Sequence, residues 1–110
     1  MKIPNGSQAV IHPEKLRGYL LDVEHKRGKS KAAVLLSFGY TPENWQALAN
    51  DLRQYHLTAE VTAVRETAYG IRYEVQALLF TPDGRSLQVR TIWQIDTGTN
   101  FPRFITLFPD

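Results

Sequence analysis

The 110 residues are 43% hydrophobic and 22% charged, enough apolar surface for one core and too little for two, so the chain is read as a single domain over 1–110. The absence of cysteine excludes disulfides, thiolate metal sites and cysteine nucleophiles together. No stretch approaches the roughly 20 apolar residues of a membrane span and the N-terminus has no apolar leader pattern, so a cytoplasmic chain without membrane contact is expected.

Net charge is only +2, from 13 Lys and Arg against 11 Asp and Glu, but the charge is unevenly placed. All lysines lie at or before Lys31, and Lys26, Arg27, Lys29 and Lys31 crowd around His25. A local cluster of this kind attracts phosphate without the whole surface being basic.

In chain order, Asn5-Gly6-Ser7 is a turn signal and Ala9-Val10-Ile11 a short extended piece. Pro13 suits the first position of a helix whose apolar side is Leu16, Tyr19 and Leu20, ending near Leu21-Asp22. The cationic segment follows as a loop, and Ala32 to Phe38 resumes as a buried helix stopped by Gly39. Thr41-Pro42-Glu43-Asn44 reads as the start of a third helix that runs to about Tyr55, with Trp45, Leu48, Leu52 and Tyr55 on one stripe.

After His56 the period changes to two. Strands are expected at Ala59–Val64, Ile71–Phe80, Leu87–Ile95 and Pro102–Phe108. A two-residue turn at Asp83-Gly84 would pair Leu79 with Gln88 and mix the two faces. A type I turn closing on a left-handed Gly84 bulge instead sets Leu79 against Leu87, Val75 against Thr91 and Tyr73 against Trp93. The expected fold is therefore α+β: about three N-terminal helices packed on one face of a four-stranded antiparallel β-meander. Arg72, Glu74, Gln76, Arg90 and Gln94 gather on the other face.

Metal binding is not expected, because His12, His25 and His56 are far apart in sequence and the acids are scattered. No phosphate loop, dinucleotide fingerprint or Gly-x-Ser-x-Gly elbow is present, and no cofactor is implied. Metal-free acid–base chemistry remains. RNA cleavage through its own 2′-hydroxyl needs a base, an acid and cations around phosphorus. His25 is the candidate base or acid, with Lys29, Arg72 and Arg90 binding phosphate and Thr91 or Thr106 assisting through a hydroxyl. Lys26, Arg27, Lys31 and Arg103 are candidate nucleic-acid contacts. Each has a plain structural reading: the basic segment as a solvated loop, Arg72, Glu74 and Arg90 as cross-strand charge neighbours, Thr91 as a core hydroxyl, His12 and His56 as helix-end residues, and the aromatic residues as packing.

Met1-Lys2-Ile3-Pro4-Asn5, Lys15-Leu16-Arg17-x-Tyr19, His25 to Lys31, Tyr69-Gly70-x-Arg72-Tyr73, Thr91-Ile92-Trp93 and Phe101-Pro102-Arg103-Phe104 together resemble an uncharacterised bacterial domain family, frequent in cyanobacteria. Its members stand alone or lie at the C-terminus of phage-related and polymorphic-toxin proteins. Their layout is similar to the barnase, EndoU, colicin and RelE group of metal-independent ribonucleases. The resemblance implies a toxin-type RNA-cleaving domain, with RNA as substrate and a partner protein from a neighbouring gene. It maps the family's basic loop onto His25, Gly28, Lys29 and Lys31, and its strand pattern onto Arg72, Tyr73, Thr91, Trp93 and Arg103. Ser30 stands where that family commonly has a second histidine, so a two-histidine pair is absent from this loop. The alternative is a non-catalytic interaction module, of antitoxin, immunity or adapter type, using the same basic loop.

Overall fold

The structure is a computed structural model describing residues 1–110. Helix α1 begins with a regular turn at Pro13–Lys15 and continues as a π-helical turn over Leu16–Leu20. Pro13 occupies its first turn after an extended His12, as the fixed proline φ favours. Helix α2 is Lys29–Ser37, and helix α3 is Trp45–Asp51 with a π-helical extension over Leu52–His56.

Helix α2 starts earlier than expected. The Lys29 amide bonds the His25 carbonyl and the Ala32 amide bonds that of Gly28, so Lys29, Ser30 and Lys31 form its first turn rather than the end of a loop. Cations there oppose the helix dipole, so helix stability does not account for their position. The third helix starts later than expected. Thr41 and Asn44 bond each other's backbone amides through their side chains, at 2.6 and 3.1 Å, and hold a turn before Trp45.

The sheet runs β1 (Ala63–Thr67), β2 (Gly70–Phe80), β3 (Ser86–Asp96) and β4 (Arg103–Pro109), paired antiparallel in chain order. Strand β1 lies closer to the Tyr69-Gly70 turn than Ala59–Val64, since Thr67 pairs with Gly70 across that turn. Its residues are mostly exposed, so they lack the apolar alternation by which a strand is read.

The central hairpin has the expected register: Leu79 pairs with Leu87, Val75 with Thr91 and Tyr73 with Trp93. Gly84, at φ 87°, donates its amide to the Thr81 carbonyl, closing the bulged turn. Leu16, Leu20, Leu35, Leu48 and Leu52 pack against Val75, Leu79, Val89, Trp93 and Leu107 in one core. Each fully buried leucine is worth about 1.5–3 kcal/mol relative to exposure.

A second bulge falls between β3 and β4. Trp93 pairs with Phe104 but Ile92 pairs with Thr106. Phe104 and Leu107 therefore both face the core, while Thr106 and Phe108 join Arg90 and Ile92 on the opposite face. Val10 forms a parallel bridge with Arg103 and covers the outer edge of β4 at its start. No helix is long and apolar enough to cross a membrane.

Candidate functional site

The uncovered sheet face carries a pocket of about 360 Å³ whose lining includes Arg65, Arg72, Glu74, Arg90, Thr106 and Phe108. Arg90 is ion-paired with Glu74 at 3.2 Å, with Asp110 4.0 Å away, and its guanidinium lies 4.7 Å from the Phe108 ring centre. Arg72 donates to the neutral Gln94 side chain at 2.8 Å, and Arg65 stands opposite it across the strand pair. Neither Arg65 nor Arg72 has a carboxylate partner, so both leave positive charge uncompensated at the pocket. Arg103 is taken up by Asp96, at 2.7 and 3.2 Å. Hydrogen bonds from Arg103 and Gln94 hold the Asp96 carboxyl below the usual range.

Lys31 connects the basic segment to this face. From the first turn of α2 its ammonium reaches the open part of the β4 edge, donating to Thr106 Oγ1 at 3.1 Å and to the Tyr19 hydroxyl at 3.0 Å. It lies 4.1 Å from the Phe108 ring centre. Lys31 and Arg90 thus share one aromatic ring, a cation–π arrangement that keeps both near the same spot. Lys26, Arg27 and Lys29 are exposed, and none of them lines the pocket.

His25 sits differently from its expected role as base or acid. Its Nδ1 accepts the backbone amides of Arg27 and Gly28, at 3.1 and 3.2 Å, so the neutral ring carries its proton on Nε2. In that arrangement no lone pair is free to take a proton. The ring closes the turn before α2 and meets the Tyr19 ring edge to face, 4.9 Å between centres.

Thr91, also expected at the site, is on the core face and fully buried. Its hydroxyl bonds His56 Nδ1 and the Trp93 indole, each at 2.8 Å, and is closed off from solvent. His56 is likewise a core residue, and its Nε2 meets the Ala77 carbonyl at 3.1 Å. Burial holds the imidazole well below its ordinary value, at about 4.

Tyr19 was legible as part of an apolar helix stripe and of the Lys15-Leu16-Arg17-x-Tyr19 motif, with no site role assigned to it. Burial works against its ionisation, but hydrogen bonds with Lys31 and Thr106 and the charges of Lys31 and Lys15 outweigh it and set the phenol below the ordinary tyrosine value. The structure ties this position to Gly28. A Cβ there would come within 2.6 Å of the Tyr19 carbonyl oxygen and 2.9 Å of its ring. Gly28→Ala is accordingly expected to lower stability by about 1–3 kcal/mol, as overpacking does, with a shifted Tyr19 ring signal in NMR spectra. An unchanged urea midpoint would show that the turn yields freely.

Three N-terminal helices covering one face of an antiparallel sheet, with a basic pocket on the other, define a small α+β domain. The family described as a domain of unknown function (DUF6883) matches residues 2–110, and the chain belongs to it. In fold the chain is similar to a chain of a contact-dependent growth inhibition toxin-immunity protein complex from Klebsiella pneumoniae 342, with a TM-score of 0.72 and 17% identity over 92% of this chain and 99% of that one. No curated protein matches the sequence.

Proposed function

We propose that this chain is a toxin-type domain that cleaves RNA through its 2′-hydroxyl, leaving a 2′,3′-cyclic phosphate, at the pocket on the uncovered sheet face. The observation that carries this reading is Lys31, which joins the basic segment to Thr106, Phe108 and Arg90 at the pocket. Arg72 and Lys31 supply unpaired charge for a phosphate, and Arg90 can exchange Glu74 for it. The charge that gathers on the phosphoryl oxygens in the transition state would meet fixed cations. The likeness in fold to a chain of a toxin-immunity complex supports a toxin- or immunity-related role and a cognate partner protein. Such a domain would find its substrate in the cytoplasm.

Bulk RNA incubated with the protein in EDTA should yield fragments ending in cyclic phosphate. Lys31→Met should slow this by about 10²-fold, the usual cost of removing one preorganised donor, while the loss of its bonds to Tyr19 and Thr106 lowers stability by only about 1–2 kcal/mol and the protein stays folded. RNA left intact by the unmutated protein would rule the reading out.

The alternative, a non-catalytic antitoxin, immunity or adapter module, draws on the ion pairs that already engage Arg90 and Arg103 within the chain. It predicts a stable complex with a neighbouring gene's product and no turnover of RNA.

A further inference from the structure

Tyr19 is held from three sides. Gly28 backs against its carbonyl and ring, the His25 ring meets it edge to face, and Lys31 donates to its oxygen. It also lies in the π-helical turn of α1, a distortion found frequently at functional sites. We propose that Tyr19 is the general acid of this site, giving its phenolic proton to the 5′-oxygen of the departing nucleotide while Lys31 holds the phenolate that remains. The inference rests on the RNA-cleaving reading above.

The direction of the hydrogen bonds supports the role. An ammonium only donates, so the Tyr19 oxygen accepts from Lys31 and keeps its own proton to give away. The same ammonium donates to Thr106, which lines the pocket, so the phenol and the phosphate-binding face are one group apart. His25 offers no competing acid or base in this geometry, its Nδ1 being committed to two backbone amides. The charged and titratable groups around the phenol are Lys15 from α1, His25 from the turn and Lys31 from α2, with Thr106 of β4 adding a hydroxyl. The two lysines favour the phenolate, which makes the phenol a stronger acid than a solvated tyrosine.

The step balances. The 2′-oxygen bonds to phosphorus as its proton passes to water. The bond from phosphorus to the 5′-oxygen breaks with its electron pair on that oxygen, which takes the Tyr19 proton. The phenolate regains a proton from solvent.

The test compares the unmutated full chain with Tyr19→Phe, which keeps the ring. Two substrates are used: a short RNA, and a uridine 3′-phosphodiester with a 4-nitrophenol leaving group, which needs no proton to depart. On RNA the variant should lose about 10²-fold in kcat with KM unchanged. On the nitrophenyl ester it should match the unmutated protein. Full RNA cleavage by Tyr19→Phe would overturn the assignment to Tyr19 and leave the RNA-cleaving reading standing. An equal loss on both substrates would make the hydroxyl structural and likewise overturn it. No cleavage of RNA by the unmutated protein would overturn both.

Discussion

Thr91→Val should destabilise the fold by about 2–5 kcal/mol, because it orphans two buried polar groups at once. The Trp93 indole only donates and the Ala77 carbonyl only accepts, which fixes every proton between them. Trp93 donates to the Thr91 oxygen, Thr91 donates to His56 Nδ1, and His56 Nε2 donates to Ala77. Thr91, Trp93 and His56 are each fully buried, and no buried side-chain nitrogen or oxygen in the chain lacks a partner. Valine matches the shape of threonine but leaves the indole hydrogen and the imidazole lone pair with nothing to bond. Set against a typical total of about 5–15 kcal/mol, the loss is a large share of stability. Thr91→Ser keeps the hydroxyl and should lose much less. Equal urea midpoints for the two variants would show that the hydrogen-bonded chain contributes nothing.

Acidification should remove a comparable amount through His56. Its folded value of about 4 lies below the ordinary 6.5, so between these values the unfolded chain binds the proton and the folded chain does not. The contribution is therefore complete above pH 6.5, declines as the pH falls, and is lost by pH 4. Its size is roughly 3 kcal/mol, from about 1.4 kcal/mol per pH unit across that window. Asp83 acts lower, since hydrogen bonds from the Arg85 side chain and backbone hold it at about 2. Asp51 acts in the opposite sense, because burial raises it despite the hydrogen bond from Tyr40. His56→Gln isolates the histidine. Urea midpoints followed from pH 7 to pH 4 should fall less steeply in that variant, and parallel curves would contradict the assignment.

Both predictions concern residues whose bonding partners the sequence did not show. Thr91 lay within a recognisable apolar row, and its pairing with Val75 was legible, so its place on the core face followed. Its bonds to His56 and Trp93 did not, since the end of α3 and the middle of β3 meet only once the helices settle on the sheet. His56 closes a helix, where a histidine is ordinarily solvated. Here its burial depends on the Ala77 carbonyl of a different strand.

The order of elements and the register of the central hairpin were determined by the sequence itself. Proline fixes φ at the start of α1, strands alternate with period two, and only a bulged turn at Pro82-Asp83-Gly84 keeps Tyr73, Val75 and Leu79 on the face of Trp93, Thr91 and Leu87. Arg72 and Arg90 followed from that register onto the other face, which is where the pocket lies. The tertiary structure alone decided that Lys31 rather than His25 joins the basic segment to the pocket, that Tyr19 accompanies it, and that a bulge in the last pair of strands turns Thr106 and Phe108 toward them. Periodicity tells which face of an element a residue occupies. It carries no information on which side chain of another element reaches across an open edge to meet it, because that contact is set by the packing of segments far apart in the chain.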